Sequence, residues 1–350
     1  MTFLRQHLRS LSGYTPGEQP PPGSAVLKLN TNENPYPPSP AVFKTLQTLD
    51  GEWLRRYPDP TAKQFRQAAS EVLQIPPEGI LVGNGSDELL SLIVRAFVEM
   101  GETVVYPMPS YVLYRTLAQL QGAQAVEIPY DEAFNFPAPA LSAAQGAVTF
   151  VANPNSPAGN RIAIDALDAL AAELRGLLVI DEAYVDFTDT HALHLTQTHE
   201  NVVILRTLSK GYSLAGLRLG FAIAHPNLIQ DLNKIKDSYA VDAIATLAGA
   251  AAIRDQDHKN RNVVKILRSR QALQKSLEQL DFRVWPSHGN FLMVQPPRIS
   301  ALDLQQTLKT RGILIRHFNV VGVADKLRIT IGTEDQNAML CGHLADILAI

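Results

Sequence analysis

The chain has 350 residues, 46% of them hydrophobic and 19% charged, with a formal net charge of −3 and one cysteine, Cys341. This length and apolar content allow a large packed core and exclude a disordered chain, while the near-neutral charge gives no global field for nucleic acid or an anionic membrane. One thiol excludes an internal disulfide framework, and no apolar run approaches the roughly 20 residues of a membrane-spanning helix.

The start of the chain, MTFLRQHLRS, carries no signal-peptide pattern, so a cytoplasmic setting is expected. Residues 13–24, GYTPGEQPPPGS, are too rich in Pro and Gly for regular structure, and LKLNTNENPYPPSP after them holds four prolines. Residues 1–48 therefore read as an extended arm lying over another surface, with a second subunit as the expected contact. From about residue 60 a rhythm sets in. TAKQFRQAASEVLQI has the spacing of an amphipathic helix. ILVGNGSDELLSLIVRAFVEMG reads as strand, glycine turn and helix, and ETVVYPMPSYVLYRTLAQLQG repeats that order. AQAVEIPY and GAVTFVANPNSPAGN each hold a strand. RIAIDALDALAAEL is a helix, GLLVIDEAYVDF a strand and loop, and NVVILRTLSKGYSLAGLRLGFAIAH holds two strand candidates. Short β-branched runs alternating with helices predict a mostly parallel sheet covered on both faces.

A long helix is expected over about 255–280. After it, DFRVWPSHGNFLMVQ, SALDLQQTLKTRG, ILIRHF and KLRITIGT predict a smaller α+β domain. The predicted organisation is an arm at 1–48, a large domain at 49–255 and a small domain at 256–350, with the boundary inside the long helix.

Ligands of open α/β sheets bind at the carboxyl ends of the strands, so the polar residues there are the candidates. Ser86 and Asp87 open a helix after a glycine turn, which suits an anion but is also ordinary helix capping. Tyr111 and Asn155 follow two further strands. Asp181 directly follows the apolar run LLVI, where a carboxylate is poorly solvated and needs a cationic or hydrogen-bonding partner. Thr207, Ser209 and Lys210 follow VVILR. In an apolar pocket, near a cation such as Arg218, the Lys210 amine is expected to have a lowered pKa suited to Schiff-base chemistry. The planar fork of Arg218 can grip a phosphate. No metal is expected, since the nine histidines form no spacing such as HExxH.

The runs NENPYPP, NPNSPAG, DEAY and TLSKGYSLAGLR, in this order, resemble the fold-type I aminotransferases that use pyridoxal 5′-phosphate (PLP), and within them the histidinol-phosphate branch. The resemblance spans nearly the whole chain, from GYTPGE to LRITIGT. It implies an α/β, aspartate aminotransferase-like fold: a large three-layer αβα domain with a mostly parallel sheet and a smaller α+β domain. It also implies roles. Lys210 would hold PLP covalently and move a proton between substrate and cofactor carbons. Asp181 would pair with the pyridine nitrogen, Tyr184 would reach the phenolic oxygen, and Tyr111 would stack on the ring. Ser86, Asp87, Thr207, Ser209 and Arg218 would hold the phosphate, joined by Tyr57 of a neighbouring subunit in a homodimer. The family asparagine that meets the phenolic oxygen is replaced here by Ser156, and Asn155 is the expected substitute. Arg328, Arg316 and Tyr14 match residues that bind the anionic end of the substrate, and Asn290 is a weaker pocket candidate. A phosphate dianion rewards two arginines where a carboxylate needs one.

The implied reaction transfers the amino group of L-histidinol phosphate to 2-oxoglutarate, with neither nucleic acid nor membrane as partner. Rival expectations are an aromatic amino acid aminotransferase and a threonine-phosphate decarboxylase. From another class comes a non-catalytic PLP-binding regulator, for which the chain offers no room for a DNA-binding module.

Overall fold

The computed structural model describes residues 3–9, 11, 13, 17–21 and 23–349. The amino-terminal part is not wholly extended. It contributes strand β1 (Leu27–Lys28) and helix α1 (Pro40–Leu46), whose N-cap Ser39 accepts the Ala41 amide. Then come α2 (Gly51–Arg55), α3 (Lys63–Leu73), β2 (Ile80–Gly83), α4 (Ser86–Phe97), β3 (Thr103–Met108), α5 (Leu113–Gln121) and β4 (Gln124–Pro129). The chain continues through α6 (Ala138–Ala144), β5 (Val148–Ala152), α7 (Ile164–Glu173), β6 (Leu177–Asp181), α8 (Leu195–Thr198) and β7 (Val202–Thr207). β8 (Gly220–Ala224), α9 (Pro226–Ile235) and α10 (Ala243–Arg254) follow.

These strands form one seven-stranded sheet in the order β2-β8-β7-β6-β5-β3-β4. Only β8 is antiparallel to its neighbours, so the others all point their carboxyl ends the same way. The mostly parallel sheet is as expected. Period-two alternation builds two cores from it. Leu178, Ile180 and Ile204 face one core together with Phe65 of α3, Leu167 of α7 and Ala248 of α10. Leu177, Val179 and Val203 face the other, with Leu89 of α4, Leu117 of α5 and Ile229 of α9. With both faces buried, β2, β5, β6 and β8 carry no polar alternation, which is why they read as continuous apolar runs, whereas the edge strand β4 is partly exposed. α10 packs against α1 and α3, and its small residues permit the approach. A Cβ added at Gly249 would meet Leu219 Cδ2 at 2.1 Å.

At Asp255 the chain breaks rather than running through a helix. Asp255 caps the next helix, α11 (Gln256–Gln279), through the His258 amide, so the expected boundary lies between two helices. Then follow β9 (Arg283–Val284), β10 (Phe291–Gln295), α12 (Ala301–Thr310), β11 (Ile313–Leu314), β12 (Arg316–His317), β13 (Leu327–Thr330) and α13 (Glu334–Leu348). β12-β13-β10-β9 is a four-stranded antiparallel sheet, and β1 pairs in parallel with β11. Ile266, Leu292, Leu304, Ile329 and Leu344 make a third core, into which Leu29 of the arm also inserts. The arm is thus built into this smaller unit. Among the described residues, no helix is long and apolar enough to cross a membrane.

Candidate active site

One cavity lies at the carboxyl ends of β2, β3, β5, β6 and β7, where the sheet meets the arm and the small antiparallel sheet. Its lining includes Ser86, Asp87, Tyr111, Asp181, Tyr184, Thr207, Ser209, Lys210 and Arg218 from the large sheet, and Arg316 and Arg328 from the small one.

Asp181 ends β6 at 5% exposure. Its Oδ2 accepts the Tyr114 hydroxyl at 2.9 Å and its Oδ1 the Ala183 amide at 3.1 Å. Burial pushes its pKa up to about 6, against the pull of those two hydrogen bonds and with a further push from the Asp87 and Glu182 carboxylates. An apolar setting with so little compensation calls for a cationic partner at this oxygen pair. Glu182 itself is fully buried and faces away. It accepts the Ala192 amide at 2.6 Å and pairs with Arg206 of β7 at 2.8 Å, tying the ends of β6 and β7 together.

Lys210 lies three residues beyond β7. Its Nζ donates to the Thr31 carbonyl of the arm at 3.0 Å and lies 5.9 Å from the centre of the Tyr184 ring. Burial of the amine lowers its pKa, and Arg328 lowers it further, opposed by Tyr184, Glu33 and Asp87. The acting cation is therefore Arg328 of the small sheet rather than Arg218. Asn34 Nδ2 donates to the carbonyls of Lys210 (3.0 Å) and Gly211 (3.2 Å), so the arm fixes this loop from both sides. Tyr184 O–H accepts Asn32 Nδ2 at 2.8 Å, which leaves the hydroxyl proton to be donated elsewhere.

A third feature suits an anion. No side chain caps α4, so the amides at its first turn are left for a ligand. Gly85 has φ +83°, and a Cβ there would lie 2.5 Å from Arg218 Nη2; a Cβ on Gly220 would lie 2.4 Å from the Ser86 amide nitrogen. Glycine at both positions lets Arg218 and β8 press against the turn. Arg218, itself at φ +54°, pairs with Asp87 at 3.3 Å, and Tyr111 donates to the other oxygen of Asp87 at 3.0 Å. Ser209 donates its amide to Thr207 Oγ1 at 3.1 Å, setting both hydroxyls at the same end of the cavity.

On the opposite wall, β12 and β13 place Arg316 directly across from Arg328. Like charges in that register repel, and an anion between them relieves the repulsion. Arg328 donates to Ser156 Oγ and to the Asn30 carbonyl, both at 2.9 Å. Its guanidinium lies 5.2 Å from the Phe318 ring centre, and that of Arg316 lies 5.3 Å from the same ring.

Three expected site residues stand elsewhere. Asn155 does not line the cavity. Its amide accepts the Ser110 hydroxyl (2.9 Å) and donates to the Pro109 carbonyl (3.0 Å), while its neighbour Ser156 does face the cavity. Adjacent residues of this loop turn to opposite sides, so a one-position shift could not rescue the missing asparagine. Asn290 is fully buried behind the wall, donating to the Asn32 carbonyl at 2.9 Å. Tyr57 is 81% exposed and stacks on Tyr239 at 4.5 Å, lining a separate depression with Trp53 and Arg56. Tyr14 lies outside the described residues. Sequence reasoning missed Tyr114, Thr31 and Asn32. Asking which donor serves a carboxylate behind LLVI would have pointed to a tyrosine one helical turn past Tyr111. No local signal marks the arm residues: Thr31 acts through its carbonyl and Asn32 through its side-chain amide. Among the described residues, no group of three His, Cys, Asp or Glu side chains is placed to hold a metal.

Taken together, the cavity offers a buried primary amine with a lowered pKa, a carboxylate in need of a cation, an anion cradle and a pair of arginines. Relatives share this chain nearly end to end. Residues 24–344 match the family model described as aminotransferase class I and II. A histidinol-phosphate aminotransferase of Trichormus variabilis is 56% identical over 99% of each chain, and one of a Nostoc species is 54% identical over 99% of this chain and 98% of its own. The crystal structure of histidinol-phosphate aminotransferase from Sinorhizobium meliloti in complex with PLP superposes with a TM-score of 0.90, covering 100% of this chain and 98% of that one at 26% identity. This chain is a member of the class I and II aminotransferases and, within them, of the histidinol-phosphate aminotransferase family.

Proposed function

We propose that this protein transfers the amino group of L-histidinol phosphate to 2-oxoglutarate, giving imidazole-acetol phosphate and glutamate, with PLP as cofactor. The observation that carries the substrate choice is the register of Arg316 and Arg328 in the wall facing Lys210, a geometry suited to a dianion. The cavity fits PLP on its own chemistry. A buried carboxylate lacking a cation suits the pyridine nitrogen, the Lys210 amine suits the aldehyde, and the uncapped turn of α4 suits the phosphate.

When bound, PLP supplies an aldehyde that captures amines and a ring that accepts electron density from the substrate carbon. The protein does the rest. Lys210 would hold the cofactor, and its amine, with a pKa lowered by burial, would be suited to accept a proton at the substrate carbon. The Thr31 carbonyl holds that amine at the cavity wall. Asp181 would pair with the ring nitrogen and favour its protonated form. Tyr184 would donate to the phenolic oxygen, Tyr111 would cover the ring face, and Ser86, Asp87, Thr207, Ser209 and Arg218 would hold the phosphate. Arg328 and Arg316 orient the substrate phosphate, and both half-reactions use the same residues in alternation. Tyr57 sits too far out to serve its own cavity, which supports a homodimer in which it serves the partner's. A free Cys341 suits a reducing, cytoplasmic compartment.

Steady-state kinetics with histidinol phosphate, phenylalanine and threonine phosphate, with carbon dioxide monitored, test the reading. Histidinol phosphate is expected to give the highest kcat/KM with no carbon dioxide. A higher value for phenylalanine would overturn it.

A further inference from the structure

Tyr114 has no place in the roles above, yet it is fully buried and touches the centre of the site. It sits in the first turn of α5, three residues past Tyr111. Its ring stacks on Phe150 of β5 at 4.7 Å and 6°, and meets Tyr106 and Tyr111 edge-on at 5.7 Å each. Phenylalanine would fill that aromatic slot equally well. A hydroxyl there costs free energy unless it is paired, and it is paired with Asp181 Oδ2.

We propose that Tyr114 is the positioning residue of Asp181: its hydroxyl fixes one carboxylate oxygen, holding the group ionised and leaving the other face of the carboxylate for the cofactor ring nitrogen. The inference rests on the reading that Asp181 partners that nitrogen. The backbone supports the division of labour. Oδ1 is fixed by the Ala183 amide and Oδ2 by Tyr114, so the carboxylate cannot rotate without breaking a bond on each side. The other charges near Asp181 are Asp87 of α4 and Glu182, turned away from the cavity, and both disfavour its ionised form. Lys210 beyond β7 stands across the cavity, and Arg206 neutralises Glu182 from behind. Tyr114 is the side-chain donor that opposes burial and the two carboxylates. Its ring also backs Tyr111, whose own hydroxyl holds Asp87, so one side chain braces both the nitrogen end and the phosphate end of the cavity.

The test is the pH dependence of PLP affinity in the dimeric or monomeric protein as isolated, for wild type, Tyr114→Phe, Tyr114→His and Asp181→Asn. Tyr114→Phe keeps the stacked ring and removes only the donor. Its PLP dissociation constant at neutral pH is expected to rise about tenfold, and the acid limb to move up by about one pH unit. kcat should fall while KM for histidinol phosphate stays within about twofold. Tyr114→His, which restores an N–H donor, is expected to recover part of the shift, and it carries the test if the phenylalanine variant does not fold. An unmoved acid limb in Tyr114→Phe, with Asp181→Asn abolishing that limb, would sink the inference and spare the role of Asp181. An Asp181→Asn variant with the wild-type limb and affinity would instead overturn the reading beneath it.

Discussion

The floor of the cavity and its wall are built on opposite plans. The floor is made where strands of one parallel sheet end, so Asp181, Thr207 and Lys210 lie within a few residues of an all-buried apolar run. The wall is assembled from far apart: Asn30, Thr31 and Asn32 in the arm, Ser156 in a loop of the large sheet, and Arg316 and Arg328 on short antiparallel strands. In the floor, the functional groups are tuned by desolvation. In the wall, the half-buried Arg316 and Arg328 both lie against the Phe318 ring, and Arg328 is aimed by hydrogen bonds to Ser156 and the Asn30 carbonyl. The two parts are nonetheless joined, since Thr31 accepts from the Lys210 amine, Asn32 donates to Tyr184 and Arg328 lowers the Lys210 pKa.

The largest effect is expected at the floor. Lys210→Ala should retain the fold by far-UV circular dichroism and lose on the order of 10³-fold or more in turnover, since both attachment and proton transfer go with it. Turnover near wild type would reject its role and dissolve the distinction between floor and wall.

The wall should respond selectively. Arg328→Ala and Arg316→Ala each remove a charged contact worth about 2–5 kcal/mol when desolvated. Their kcat/KM for histidinol phosphate should fall accordingly. Arg316→Ala should harm that substrate more than phenylalanine, while absorbance of bound PLP is unchanged. Equal losses for both substrates would mean that Arg316 does not read the phosphate.

A third test asks what the floor costs. Burial pushes the Asp181 carboxyl up to about 6 in the folded protein, above the ordinary aspartate value near 3.8. Between these values the folded apoprotein keeps a proton that the unfolded chain releases, so its stability falls as pH rises through that window and levels off above it. Relative to Asp181→Asn, which does not titrate, wild-type apoprotein should lose roughly 2–4 kcal/mol between pH 4 and 7 in denaturant melts. PLP should restore this by supplying the missing cation. Parallel pH profiles for the two proteins would show that burial does not tax this carboxylate.

Legibility in the sequence follows the same division. β-branched runs and the residues just after them are local, so the sheet, its order of elements and the candidates Asp181, Tyr184, Lys210 and Arg218 could all be read from the chain. Wall contacts are not local. Nothing in NTNENPY marks the Thr31 carbonyl as the acceptor for Lys210, because every residue has a carbonyl. The twelve-residue gap from Arg316 to Arg328 does not reveal that a hairpin sets them opposite each other. Asn155 misled for a related reason: loop residues one apart turn to different sides, and neither composition nor spacing says which. The break at Asp255 is not legible either, since an aspartate can continue a helix or cap a new one, and here it caps α11.

The smallest effect belongs to Tyr57, which is neither floor nor wall in its own chain. It lies on the outside, stacked on Tyr239 beside Trp53 and Arg56, with its ring almost wholly exposed. An exposed aromatic pair next to an apolar depression is surface that a second copy could cover. If that copy's cavity receives the hydroxyl at the cofactor phosphate, Tyr57→Phe removes one hydrogen bond to a charged group, worth about 1.5–3 kcal/mol, and keeps the ring that packs at the interface. PLP affinity should then fall by at least tenfold while sedimentation gives the same dimer as wild type. Tyr57→Ala should weaken both. Unchanged affinity in Tyr57→Phe would make each cavity complete within one chain, and floor and wall together would then be the entire site.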